Sequence, residues 1–207
     1  MRLRNRGRLR TAEAVPADHD QRLVWRIAAL LLDYPTAETC LLIDQMATAT
    51  GQLAEPVGSN ITDFLLYFCR TEPTERAARH LETFDVRHRS RLHLTYYAHG
   101  TRKRDLALLR LKQAYRQAAF AISDTDAPDY LPLVLEFAAT ADHVVGQRLL
   151  ADHASALELL RVSLHAGDSP YAGLLAAVLA TLPSNAAAER RRIAELTAAG
   201  STARGVA

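Results

Sequence analysis

The sequence predicts an all-α fold, a single helical domain of about nine to ten helices, on three observations. Leu and Ala dominate the apolar positions, because hydrophobic residues are 49% of the chain while aromatics are only 6%. Both are strong helix formers, and β-branched residues are sparse. Apolar residues spaced by three and four follow one another almost without pause. Period-two alternation occurs clearly once, at Leu92, Leu94 and Tyr96, where a lone strand would have nothing to pair with. Helix is therefore expected there too.

Leu23, Ile27, Leu30, Leu31 and Tyr34 make the first stripe, with Asp18 or Asp20 as its expected N-cap and Pro35 as its stop. A second helix is expected from Thr36 through Leu41, Leu42 and Met46. Gly51, Pro56 and Gly58 mark a loop. Ile61, Phe64, Leu65 and Phe68 follow Ser59 and Asn60 as the third stripe. Pro73 suits a first helical turn, leading into Ala77, Ala78 and Leu81.

After Gly100, the residues Leu108, Leu111, Tyr115, Ala118 and Ile122 define a long helix opposite Arg110, Lys112, Gln113, Arg116 and Gln117. Residues 124–128 read as a loop. Residues 131–139 are apolar on nearly every face, as in a central buried helix. Leu149, His153, Leu157, Leu160 and Leu164 form one further stripe, stopped by Gly167. Ser169 and Pro170 read as an N-cap and first helical residue, opening a helix through Leu174, Leu175, Val178, Leu179 and Leu182. The expected organisation is a basic, mobile tail over 1–17, the helical domain over 18–183, and a short C-terminal helix with a tail over 184–207.

Composition excludes several classes. The formal net charge is +2, too weak to imply nucleic acid by itself. Two cysteines, Cys40 and Cys69, are far apart and form no C-x-x-C pair, which argues against a disulfide framework and fits a cytoplasmic protein. No apolar run reaches the roughly 20 residues that span a bilayer. The arginine-rich start lacks the apolar region of a secretory signal.

Signatures of catalysis are sparse. There is no G-x-S-x-G, no P-loop and no H-E-x-x-H. His80, His88, His93 and His99 cluster in sequence, but their spacings do not place successive pairs on one helix face. The adjacent pairs Asp142–His143 and Asp152–His153 leave a metal-dependent hydrolase as an alternative. A helical nucleic-acid-binding regulator is another, given the basic runs Arg87, Arg89, Arg91 and Arg102, Lys103, Arg104.

One block carries a family resemblance. Leu92, His93, Leu94, Thr95, Tyr96, Tyr97, Ala98, His99 and Gly100 precede Arg102, Lys103 and Arg104. The run Leu108–Leu109–Arg110–Leu111–Lys112–Gln113–Ala114–Tyr115 follows, and then Asp126–Ala127–Pro128–Asp129–Tyr130–Leu131–Pro132–Leu133–Val134–Leu135–Glu136–Phe137. In this order and spacing the block resembles the NarJ family of nitrate reductase molybdenum-cofactor assembly chaperones, within the TorD- and DmsD-like redox-enzyme maturation proteins. Leu30, Leu31, Leu32, Asp33, Tyr34 and Pro35 look like the family's opening helix and its exit.

The resemblance implies a helical chaperone without an active site of its own. It would bind the N-terminal peptide of the nitrate reductase catalytic (alpha) subunit in the cytoplasm. It would hold that client until the bis-molybdopterin guanine dinucleotide form of the molybdenum cofactor, and an iron–sulfur cluster, are inserted. The chaperone would bind no cofactor stably, insert in no membrane, and be a monomer or weak dimer. Where the family loop reads acidic-x-Pro-Asp-His-Leu, this chain has Tyr130 at the histidine position.

A peptide chaperone needs a groove with apolar anchor sites. Tyr96, Tyr97 and Leu131 are expected on its wall, and Pro128, Asp129 and Tyr130 on its rim, with Asp129 capping the helix that follows. His99 and Arg104 complete the expected contact set. Glu136 interrupts an apolar helix; if buried and charged it needs a cation, for which Arg104 or another arginine of that cluster is the candidate.

Overall fold

Two antiparallel helices, α1 (Asp18–Leu32) and α7 (Leu131–Thr140), form the centre of this computed structural model. It describes residues 18–86, 90–97, 101–123 and 125–183; the expected tails, the C-terminal helix, His88 and His99 lie outside them. Within the described residues the remaining helices are α2 (Ala37–Leu41), α3 (Ile43–Thr50), α4 (Val57–Arg70), α5 (Pro73–Leu81) and α6 (Thr101–Gln117). They are followed by α8 (His143–Asp152), α9 (Ala154–Ala166) and α10 (Tyr171–Ala180). The all-α expectation holds. None of these helices is long and apolar enough to cross a membrane.

The core explains the composition. α1 sinks Val24, Trp25, Ile27, Ala28, Leu31 and Leu32, while α7 buries Leu131, Val134, Leu135, Phe137 and Ala138. α10 packs on α4 and α9 and brings Leu174, Leu175 and Val178 into the same cluster. With few aromatics, close approach replaces ring volume. Where α7 crosses α8, a Cβ on Gly146 would fall 2.3 Å from the Ala138 Cβ and 2.4 Å from its Cα. Only glycine lets these backbones meet.

Polar anchors fix how α1 lies on its neighbours. Trp25 Nε1 donates to Thr181 Oγ1 at 2.9 Å, and Gln21 donates to the Thr181 carbonyl just past α10. Arg22 Nε donates to the Ala139 carbonyl at 3.0 Å, on an otherwise open end of α7 where the helix dipole favours a cation. One turn along, Arg26 pairs with Glu136 at 2.5 Å. This corrects the expected Glu136–Arg104 clasp. Glu136 is half-exposed and its cation comes from α1, because Arg22 and Arg26 share the stripe that faces α7.

Several boundaries differ from expectation. Asp18 and Asp20 sit inside the first turn of α1. α4 begins at Val57, so Gly58 is helical and no longer marks a loop. The stripe from Leu149 to Leu164 is two helices, broken at His153, whose Nδ1 bonds the Leu149 carbonyl at 2.8 Å. α10 starts one residue late, with Pro170 rather than Ser169 at its cap. Pro73 takes the predicted position, but the helix expected from Thr36 through Met46 is two, α2 and α3, meeting at Leu42, with Thr36 capping α2 by accepting from the Thr39 N–H at 3.3 Å.

α6 ends without glycine or proline. Ala119 supplies the left-handed residue, at φ 51°, and Phe120 N donates back to the Tyr115 carbonyl at 2.9 Å. That is the Schellman-type closure usually given to glycine.

Candidate functional site

The loop before α7 is fastened by two neighbouring side chains that pull in different directions. Asp129 turns inward. Its carboxylate accepts from Thr95 Oγ1 at 2.5 Å, from the Thr95 N–H at 3.2 Å and from His93 Nδ1 at 3.2 Å. Burial alone would raise its pKa, but these donors outweigh burial and hold it at about 2. The carboxylate therefore clamps the 92–97 segment and does not cap α7, whose cap residue is Tyr130 with no side-chain bond.

The backbone reinforces this clamp. Leu94 N donates to the Asp129 carbonyl at 3.0 Å, and Leu131 N donates to the Leu92 carbonyl at 2.7 Å. His93 and Tyr130 thus form a single antiparallel bridge, and residues 94–97 then wind into a 3-10 turn. The helix expected in this segment is only a short 3-10 turn, and the rejected strand survives as one bridge.

Tyr130 turns outward. Its hydroxyl donates to Asp33 Oδ1 at 2.9 Å, joining the loop to the end of α1. Burial, then the neighbouring Asp33 carboxylate, push its pKa well up, so the phenol remains a donor. Tyr115 braces the same loop from α6, donating to the Pro128 carbonyl at 2.7 Å.

Beside this latch lies a groove of about 450 Å³ between α1, α2, α7 and the 126–130 loop. Ala29, Leu30, Leu42, Pro132 and Leu133 give it an apolar floor. Asp33, Glu38, Asp126 and Glu136 make the rim acidic, and Arg26, already paired with Glu136, is its one lysine or arginine. A larger cleft of about 810 Å³ between α4, α5 and α9 is lined by Tyr67, Ser90, Ser163 and Ser169 among others. It holds none of the expected contact residues, whereas Tyr130 and Glu136 line the smaller groove, which is therefore the better candidate despite its size.

The structure redistributes the expected site. Tyr130 and Glu136 line the groove, and Pro128 and Asp129 hold its loop. Leu131 is fully buried in the core, and Tyr97 packs against that core with its pKa pushed up to about 12 by burial. Tyr96 is exposed and stacks edge-on against Tyr97 at 5.2 Å. Neither tyrosine is among the groove's lining, and Arg104 is exposed on α6. His99 lies outside the described residues. Sequence reasoning missed Arg26, Glu38 and Leu42. The Leu30–Pro35 motif was a signal for this end of α1, since Asp33 and Tyr34 both border the groove.

Three of the four residues of the hydrolase alternative, Asp142, His143 and His153, have structural roles. Asp142 caps α8 by accepting from Val145 N at 2.9 Å, and His143 stacks on Trp25 with ring centres 5.1 Å apart. His153 is tied to the Leu149 carbonyl. Among the described residues, no group of His, Cys, Asp or Glu is arranged to hold a metal ion.

Comparison with known proteins agrees with this architecture. Residues 50–177 match the family described as nitrate reductase delta subunit. The chain is 36% identical over 161 residues to the nitrate reductase-like protein NarX of Mycobacterium tuberculosis, a match covering 77% of this chain but only 24% of that protein. It is 33% identical over 170 residues to the Bacillus subtilis NarJ, named as a nitrate reductase molybdenum cofactor assembly chaperone, covering 79% of this chain and 90% of that one. The Escherichia coli NarJ, similarly named, is 29% identical over 173 residues, covering 82% of this chain and 72% of that protein. A crystal structure described as a redox enzyme maturation protein from Archaeoglobus fulgidus superposes with a TM-score of 0.54 at 13% identity, covering 82% of this chain and 97% of that one. At that identity the likeness speaks for the fold alone. The chain belongs to the nitrate reductase delta subunit family, the family of the NarJ proteins.

Proposed function

We propose that this chain is an assembly chaperone for a respiratory nitrate reductase, and that it binds the N-terminal segment of the catalytic subunit in the α1–α2–α7 groove. The client would be held in the cytoplasm while the molybdenum cofactor, and an iron–sulfur cluster, are inserted into it. Both are cargo of the client. The chaperone's own residues bind and release a peptide.

The observation that carries this reading is the groove itself, an apolar floor inside an acidic rim. An amphipathic helix binds such a surface through apolar anchors at i, i+3, i+4 and i+7. Acidic rim residues favour lysine or arginine flanking those anchors, and complementary charge mainly sets encounter rate and partner choice. The Asp33–Tyr130 bond holds one side of the groove at a fixed distance, so less order must be gained on binding.

Calorimetry tests the reading. The chain is titrated with a synthetic peptide for the first turns of the catalytic subunit. Saturable heat at one peptide per chain is expected. No heat at high micromolar concentrations would contradict the proposal.

A further inference from the structure

We infer that the outer face of α6 docks into the α1–α2–α7 groove of a second copy of this chain. The inference rests on the groove reading above, because it assigns a competing occupant to the same site.

α6 buries Leu111, Ala114 and Tyr115 on one side. On the opposite side Arg102, Leu106, Leu109, Gln113 and Arg116 recur at four and three and share a face. All are exposed, Leu106 by 51% and Leu109 by 55%. Arg110 and Lys112 flank them. Along α6, Arg102, Lys103, Arg104, Arg110, Lys112 and Arg116 face only one acid, Asp105. Among the described residues, this pair of leucines framed by arginines stands exposed to solvent.

The groove offers the complement. Leu30, Leu42 and Leu133 receive apolar side chains, and Asp33, Glu38 and Asp126 meet the cations. Opposite charges steer such an encounter, and the helix-in-groove geometry is one that proteins reuse. A chain cannot fill its own groove this way. The leucine face of α6 points outward because Leu111 and Tyr115 hold the other face in the core. Each copy carries one basic helix and one groove, so two copies can exchange them about a two-fold axis and close the assembly. Client peptide and second copy would then compete, and an unoccupied chaperone would cover its own groove at high concentration.

Charge exchange tests this. One variant carries Arg102→Glu and Arg110→Glu; the other carries Glu38→Arg and Asp126→Arg. Sedimentation velocity over the micromolar range should show wild-type chain pairing with concentration and each variant alone staying monomeric. An equimolar mixture of the two should form a one-to-one pair, because both exchanged contacts are again complementary. The α6 variant should also bind client peptide with affinity independent of chaperone concentration. Circular dichroism confirms that each variant is folded. Wild type monomeric throughout, a dimer surviving both reversals, or a mixture that stays monomeric would overturn the inference. So would a monomer whose α6 amides become protected only on anionic phospholipid vesicles. If peptide binds the groove while wild type stays monomeric, this inference alone fails. If the variants pair but peptide does not bind, the client reading alone fails.

Discussion

Tyr130 donates a hydrogen bond of 2.9 Å to Asp33, tying the loop before α7 to the end of α1 at the mouth of the groove. Tyr130→Phe removes the donor and leaves Asp33 in water, so the cost should be modest, about 0.5–1 kcal/mol. Urea unfolding measures that loss. Hydrogen exchange should show faster exchange at residues 126–130, with the rest of the core unchanged. A loss above about 3 kcal/mol would mean that the latch carries more of the fold than this geometry allows.

Asp129 links stability to acid. Its folded pKa of about 2 lies below the ordinary aspartate value of 3.8. A group depressed in this way contributes stability that is present above the unfolded pKa and lost as pH falls through the folded one. The shift corresponds to about 2 kcal/mol. Denaturant titrations should show stability declining between about pH 5 and pH 2. Asp129→Asn should be less stable at pH 7 and less pH-dependent in that window. Parallel curves for the two proteins would contradict the assignment.

Gly146 should not tolerate a methyl group. Gly146→Ala places a Cβ inside Ala138, and the crossing of α7 and α8 must open. Overpacking of this kind costs about 1–3 kcal/mol or more. Adding Ala138→Gly should rescue only part of the loss, because the Ala138 Cα would still lie 2.4 Å away. Thermal unfolding of the single and double variants checks both statements.

Ala119 makes the opposite case. Its φ of 51° is left-handed, where a Cβ is strained and glycine is not. Ala119→Gly should stabilise the protein by about 0.5–1 kcal/mol after the added entropy of the unfolded chain is counted. A rise in melting temperature is expected, and a fall would show that the α6 closure depends on something other than this backbone geometry.

The helices were legible because period three and four records burial directly, as Ile61, Phe64, Leu65 and Phe68 on α4 illustrate. The break at His153 was not, because Leu149, His153 and Leu157 keep helical spacing across a helix boundary. Glu136 was expected to need a cation if buried; it is half-exposed, and the cation beside it, Arg26, is 110 positions away, so only packing brings it there. Asp129 fits an N-cap signal, and the local rule fails because Thr95 and His93 offer better donors from a distant segment. The groove has the same character: its walls come from two distant stretches, residues 26–42 and 126–136, and Leu42 and Glu38 carry no local mark of it. The Leu92, Leu94 and Tyr96 pattern was visible, but what it pairs with was not.

The central claim is that the α1–α2–α7 groove receives the N-terminal segment of the nitrate reductase catalytic subunit. Calorimetric titration of that peptide into Leu133→Glu and Tyr96→Ala separates this groove from the exposed tyrosine face. Leu133→Glu puts a desolvated charge on the apolar floor and should weaken binding at least about tenfold, or 1.4 kcal/mol, with an unchanged circular dichroism spectrum. Tyr96→Ala should bind as wild type does. Undiminished binding by folded Leu133→Glu, with loss in Tyr96→Ala, would contradict the account.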